Sequence, residues 1–493
     1  MKGKMKRITA LLLALFLVLS VAGCKAKVDP NKTLSGDDAT ESTDDWGDTW
    51  GESSEENNES KDDSTSESSK SATSKSTTSK STSSSGQFNY DGKSNTDITW
   101  PKLDFKGQKK VKILTFAEST TSKEINDELK SRYDQTVELV ITEYSDISTR
   151  LASLVMSGDS PDMCVALPDS IDFYSFAYKN LAQPIEPYVD FKSSLYRDMQ
   201  WYYGKTKLNG SNYMLIYDVS SGPMIVYNKK IFRDCGVEEP WSLYKKGQWN
   251  WDKMKEIGPL LCADTNGDGT MDRRALAFNQ PQYFMYSTGQ SFGKLDLENK
   301  KAVTNVKNKS IARAANYMLD ACWKDQWAYD AVVTAQEKFR NETVAMFVNA
   351  DGGLNAGDVA AIGKRGDLGL APLPKDPQAD KLFYWSYVSG FYIAKGAKNP
   401  AGAVAFNAVR SYLRQSSEEI KKYNTKLKSE LGFTDLNLEQ LYENTKAGTP
   451  VMEMASFLGT TTLWKSINQG TPWTTQIAEE EWTIQKYVDD IFK

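Results

Sequence analysis

Asp264, Asn266 and Asp268 alternate through ADTNGDGTMDRRAL (263–276), Gly269 follows them, and Asp272 stands at the ninth position. With Thr270 this reproduces the D-x-[DN]-x-[DN]-G spacing of a calcium loop, which gathers hard oxygen donors around one cation. The twelfth position is Ala275, where an EF-hand carries a bidentate glutamate. Another residue would have to complete the shell, or affinity would be low. The same composition suits a polar Asx/Gly turn, and both readings stand at this level. A structural calcium is the one cofactor the sequence suggests, and none is required.

Other chemistries are narrowed by what the chain lacks. It has no histidine, which removes Ser-His-Asp and Cys-His nucleophile arrangements, histidine zinc sites and the commonest general base. Cys164, Cys235, Cys262 and Cys322 are widely spaced and form no C-x-x-C. Each lies in an apolar neighbourhood that suits a free buried thiol, so free cysteines are expected although an exported protein would usually pair them.

The net charge of −5 is unevenly spread. Residues 1–24 carry four positive charges and no acids, and residues 25–96 hold eight Lys against fifteen Asp and Glu. The remainder is left near −2, so nothing draws it to a polyanion, and no nucleic-acid partner is expected.

Lys2, Lys4, Lys6 and Arg7 precede ITALLLALFLVLS, and small residues then lead to Cys24. A basic stretch, an apolar stretch and small residues make a secretory signal, and the run falls short of the ~20 residues of a membrane span. The end Val21-Ala22-Gly23-Cys24 resembles a bacterial lipobox. That resemblance implies cleavage before Cys24 and diacylation of Cys24, anchoring the protein on the extracellular face of the cell membrane; two acyl chains hold firmly where one would let go.

Residues 25–100 read as a disordered tether. The segment 61–86 contains no aromatic or branched aliphatic residue, so it cannot bury enough surface to offset the entropy of ordering. Coil scaling over such a length gives a reach of about 45 Å. Beyond it, strand and helix patterns alternate. KKVKILTF (109–116), TVELVITEY (136–144) and DMCVALP (162–168) have strand character. KEINDELKSRY (123–133) places Ile125, Leu129 and Tyr133 on one helical face, and STRLASLVMSG (148–158) ends a second helix at Gly158. This alternation predicts an α/β fold with a parallel, doubly wound sheet, and the length predicts two lobes. Ligands of such sheets bind beyond the carboxyl ends of the strands, here in the cleft between lobes.

Five motifs, in order, resemble those of the extracellular solute-binding proteins of bacterial ABC importers, the maltose-binding-protein-like sugar-binding branch in particular. They are SGDSPDMCVAL (157–167), VYNKKIFRDCGV (226–237) with WNWDKMKEI (249–257), FRNETVAMFVNADG (339–352), GLAPLPKD (369–376) and GFYIAKGAKNPAGAVAFNAV (390–409). The resemblance implies a two-lobed periplasmic-binding-protein-like fold with a hinge. It places residues 101–218 and 380–445 in the first lobe and 222–375 and 446–493 in the second.

The resemblance also implies a carbohydrate ligand, an oligosaccharide by expectation. Sugars need aromatic faces for their C–H surfaces and carboxylates or amides for their hydroxyls. At strand ends, Glu118, Asp169, Asp218 and Ser221 are placed to supply the polar groups. AFNQPQYFMYSTGQSFG (277–293) resembles the segment that supplies stacking aromatics in maltose-type proteins, which nominates Tyr283 and, one turn on, Tyr286. Trp385 is expected on the hinge side, and Phe457 and Trp464 on a helix closing the second lobe. Asp351 falls where relatives keep a tryptophan-bearing loop; that departure, with Ala166 in place of a stacking aromatic, argues against maltose itself. The implied partners are an ABC permease and, through the lipid, the membrane, with the protein a monomer. A secreted carbohydrate-active enzyme using two carboxylates, and a sugar sensor or adhesin, are the alternatives.

Overall fold

The computed structural model describes residues 98–166, 172–219, 222–278, 280–296, 299–329, 334–349, 354, 357–386, 388–444, 446–453, 459–490 and 492. Cys24, Asp169, Ser221, Asp351 and Phe457 lie outside the described residues. In chain order the strands are β1 (Lys110–Thr115), β2 (Thr136–Ile141), β3 (Met163–Val165), β4 (Met214–Val219), β5 (Met224–Asn228), β6 (Arg274–Ala277), β7 (Gly293–Asp296), β8 (Lys301–Thr304), β9 (Ala328–Tyr329), β10 (Val344–Asn349), β11 (Leu368–Pro372), β12 (Phe383–Ser386), β13 (Val388–Ile393) and β14 (Thr449–Met452). The helices that matter below are α1 (Lys123–Tyr133), α2 (Ile147–Met156), α3 (Pro281–Tyr286), α4 (Gly357–Gly363), α5 (Pro400–Gln415), α6 (Ser417–Leu431), α7 (Asp435–Asn444), α8 (Thr460–Gln469) and α9 (Trp473–Asp490).

Two five-stranded sheets, β2-β1-β3-β13-β4 and β11-β5-β10-β6-β9, form the two lobes. Both are mixed where a parallel sheet was expected. β13 runs antiparallel to β3 and β4, and β5 runs antiparallel to β10 and β11. The cause is the crossing of the chain. β4 leaves the first lobe at the interlobe edge and β5 enters the second from that edge, so β5 must run away from it; β13 does the same on the return.

Alternation along the second sheet shows why it is covered on both faces. Ile225 and Tyr227 of β5 enter one core while Met224 and Val226 enter the other, as a period of two requires. The first lobe has its own core around Val111, Ile113, Leu114, Leu215 and Phe406. Residues 435–444, expected with the first lobe, pack on the second. Asn437 Nδ2 donates to the Leu368 carbonyl (2.9 Å) and Gln440 Oε1 accepts from Leu370 N–H (3.1 Å), so α7 satisfies the open edge of β11.

The crossings meet in one cluster. Gly222, between β4 and β5, has φ +88°, and a Cβ there would lie 2.6 Å from the Tyr384 ring. Asn444 Nδ2 donates to the Gly222 carbonyl (3.3 Å), and the Tyr202 hydroxyl bonds Ser386 Oγ (2.9 Å) beside it. Only glycine fits both the backbone angle and the ring. A further crossing is made by α6, which leaves the first lobe and ends with Gly432 against Gly363 of α4.

At the far end of the first sheet, Asn399 caps α5, accepting from Gly402 N–H (2.9 Å), while its amide donates to Lys110 O and Gln135 Oε1 (both 2.9 Å). Asp162 accepts from Asn399 N–H (2.6 Å) and Lys112 N–H (2.8 Å). Asn399→Ala removes a cap and strands buried partners, so unfolding free energy should fall by about 2–4 kcal/mol. Denaturant titration checks this, with the ligand affinity of the folded fraction unchanged.

Candidate functional site

Parallel strands of the first lobe end together, so the turns after β1 and β4 share one rim. Glu118 follows β1 and is exposed. Asp218, next to last in β4, accepts from Val219 N–H (2.7 Å) and pairs with the Arg414 guanidinium. Around this pair lies a small concavity of about 60 Å³, open to solvent and lined in part by Glu124, Asp218, Arg410, Arg414 and Glu419. Arg410 is buried, donates to Thr120 O (2.5 Å) and lies 4.0 Å over the Tyr217 ring. The Glu124 carboxyl is held below the usual range by its own backbone N–H, then the Ser122 hydroxyl and the Lys422 charge. Fixed arginines and carboxylates of this kind can donate to and accept from a polar ligand in fixed directions. Arg410, Arg414 and Glu419 escaped the sequence reading because their helices carried only fold signals.

The second lobe brings together three of the expected aromatics. Pro281 opens α3, where its missing N–H costs nothing, and the helix places Tyr283 and Tyr286 against Trp385 of β12, ring centroids 4.8 and 6.5 Å apart. Exposure is 3% for Tyr283, 0% for Tyr286 and 7% for Trp385. The structure thus corrects the expectation for Tyr286: its faces are enclosed in the lobe's core, and its hydroxyl donates to Glu453 Oε2 (3.1 Å). Glu453, which also accepts from Phe292 N–H (2.7 Å), was not foreseen; it lies 167 residues from Tyr286 in sequence. Tyr283 keeps only a sliver of surface beside Trp385. Trp464 on α8 is half-buried and donates from Nε1 to Gln282 Oε1 (3.0 Å), which makes Gln282 a further candidate.

In the 264–272 loop the donors serve the loop itself. Asp264 accepts from Gly267 N–H (2.7 Å) and Gly269 N–H (2.8 Å), Asn266 from Asp268 N–H (2.8 Å), and Asp268 from Thr270 N–H (2.7 Å). Asp272 accepts from Thr265 Oγ1 (2.6 Å), Thr265 N–H (2.7 Å) and Asn266 N–H (3.1 Å), which hold its carboxyl below the ordinary range. Among the described residues no group of three or more acidic or thiol side chains is placed to hold a metal. The arrangement is that of a hydrogen-bonded Asx turn. Cys164, Cys235, Cys262 and Cys322 form no disulfide with one another, and burial pushes the Cys164 and Cys262 thiols up.

With the geometry in place, sequence comparison matches residues 116–408 to the bacterial extracellular solute-binding proteins. The chain belongs to that family. Curated proteins give no match by sequence. Solved structures share the fold. The sugar-binding protein MalE from Xanthomonas citri is 14% identical with a TM-score of 0.58, covering 77% of this chain and 97% of its own. An ABC substrate-binding protein from Listeria monocytogenes, in complex with cycloalternan, is 15% identical with a TM-score of 0.55, covering 77% and 98%. UgpB from Mycobacterium tuberculosis, in complex with glycerophosphocholine, is 16% identical with a TM-score of 0.55, covering 78% and 99%. Among the described residues no helix is long and apolar enough to cross a membrane.

As arranged, the 264–272 loop is closed by hydrogen bonds from its own amides to its carboxylates. A chelator should leave the melting temperature of the extracellular solute-binding protein unchanged, and so should added calcium. Scanning calorimetry reads the difference: a fall on chelation would mean that the loop turns its carboxylates onto a metal.

Proposed function

We propose that this solute-binding protein is a lipid-anchored receptor that captures a carbohydrate, an oligosaccharide in particular, between its lobes and hands it to an ABC permease. The single observation that carries the reading is the pair of lobes joined at the Gly222 cluster: a rim of fixed carboxylates and arginines around Asp218 ends one, and Tyr283, Trp385 and Trp464 are grouped in the other. Sugars use such a mixture, hydroxyls taking the polar groups and C–H faces the aromatic ones. Solved neighbours that bind sugar or cycloalternan support the class. Family membership supports binding without turnover, so the enzyme reading is not favoured.

Delivery fits the amino-terminal pattern. The Val-Ala-Gly-Cys end at Cys24 supports lipid attachment, and the acidic, Ser-rich residues after it support a tether that lets a monomer reach its permease.

Two experiments test the reading. A thermal-shift panel of neutral oligosaccharides and glycerophosphodiesters should give stabilisation by a sugar, about 2.7 kcal/mol at a hundredfold excess over Kd. Asp218→Asn should weaken that binding by about 1.5–3 kcal/mol in calorimetry. A shift with glycerophosphodiesters alone would replace the carbohydrate assignment. Cys24→Ser should abolish acylation and release the protein from membranes in a fractionation assay; a mutant that still carries acyl chains would refute the anchor.

A further inference from the structure

The first sheet fixes more than the hinge-side rim. β4 lies at its interlobe crossing, and β2 is its opposite edge, four strands away in the order β2-β1-β3-β13-β4. Strands lie about 4.8 Å apart, so β2 lies about 19 Å across the sheet from β4. At that far end stand Tyr144 and Ile141, 51% and 49% exposed. Phe116, after β1, meets Tyr144 with ring centroids 5.1 Å apart and planes at 78°.

Three features make this a built ledge rather than scattered surface residues. Thr142 N–H donates to Thr115 O (2.9 Å), so the two chains stay in register past the last ladder pair and hold Phe116 beside Tyr144. Asp146 N–H donates to Glu143 O (2.9 Å), closing the turn that carries Tyr144. Edge-to-face contact then fixes the two rings relative to each other. Glu118, Glu143 and Asp146 flank the rings and are all exposed.

Resting on the carbohydrate reading above, we propose that the Phe116–Tyr144 ledge is an outer subsite that stacks a sugar ring remote from the hinge, so that the ligand is a neutral oligosaccharide several rings long. An exposed ring offers the apolar face a pyranose needs, and the neighbouring carboxylates accept its hydroxyl protons. Three acids repel an anionic unit, which excludes uronic-acid chains. The span of about 19 Å from β4 to β2 sets the length, because a disaccharide held at Asp218 would not reach the ledge.

The test is calorimetry on the full chain with the disaccharide and hexasaccharide members of the malto-, cello- and xylo-oligosaccharide series. Tyr144→Ala should weaken the hexasaccharide that binds by about threefold to tenfold and leave the disaccharide of the same series unchanged. Tyr144→Phe should restore the long-chain affinity, since stacking needs the ring and not the hydroxyl. Equal losses for both lengths, or no loss for either, would overturn the ledge while leaving carbohydrate capture standing. Binding of none of the series by the unaltered protein would overturn the ledge and the carbohydrate reading together.

Discussion

Gly222 carries the chain out of one core and into the other, at a φ of +88° and with the Tyr384 ring against its α-carbon. Much of the architecture follows from that passage. A chain that leaves a sheet at its interlobe edge must begin the next sheet from that edge, which is why β5 and β13 run against their neighbours. The carboxyl ends of the remaining strands are thereby left facing the space between lobes, where loops can meet a ligand. Asn444 and Tyr202 tie the return crossings to the same point, so the lobes are joined by a compact cluster and not by a loose linker.

The polar and aromatic groups divide between lobes for a physical reason. Asp218 keeps solvent contact at the rim, its side chain 38% exposed, while its partner Arg414 is only 12% exposed and is held in place beneath it. Tyr286 and Phe292 are fully enclosed, and their burial is tolerable because Glu453 satisfies the Tyr286 hydroxyl and the Phe292 amide at once. The aromatic group therefore does two jobs. Its inner members make the core of the second lobe, and Trp385 at 7% and the half-buried Trp464 retain what surface remains.

Local signals in the sequence were read well. The Ile125, Leu129 and Tyr133 spacing corresponds to α1, which Ser122 caps and the left-handed Asp134 ends, and Pro400 sits in the first turn of α5. Those features depend on residues within one or two turns of each other. Long-range ones were not legible: Arg414 reaches Asp218 across 196 positions, and Glu453 reaches Tyr286 across 167. The placement of α7 was missed for the same reason, since Asn437 and Gln440 look like ordinary polar helix residues until the β11 edge is beside them. The 264–272 pattern shows the opposite limit. One set of oxygens suits a cation and the loop's own amides alike, and the hydrogen bonds show the amides served.

Capture of a solute between the lobes, as proposed, predicts that binding closes them about Gly222. Fluorescence energy transfer between labels on Thr149 of α2 and Gln469 of α8, exposed positions on opposite lobes, measures it directly in the full chain. Titration with the stabilising oligosaccharide should raise transfer efficiency with the same midpoint as the calorimetric binding curve. Saturation of binding with no change in transfer would contradict the account, because the ligand would then sit where the hinge has no part.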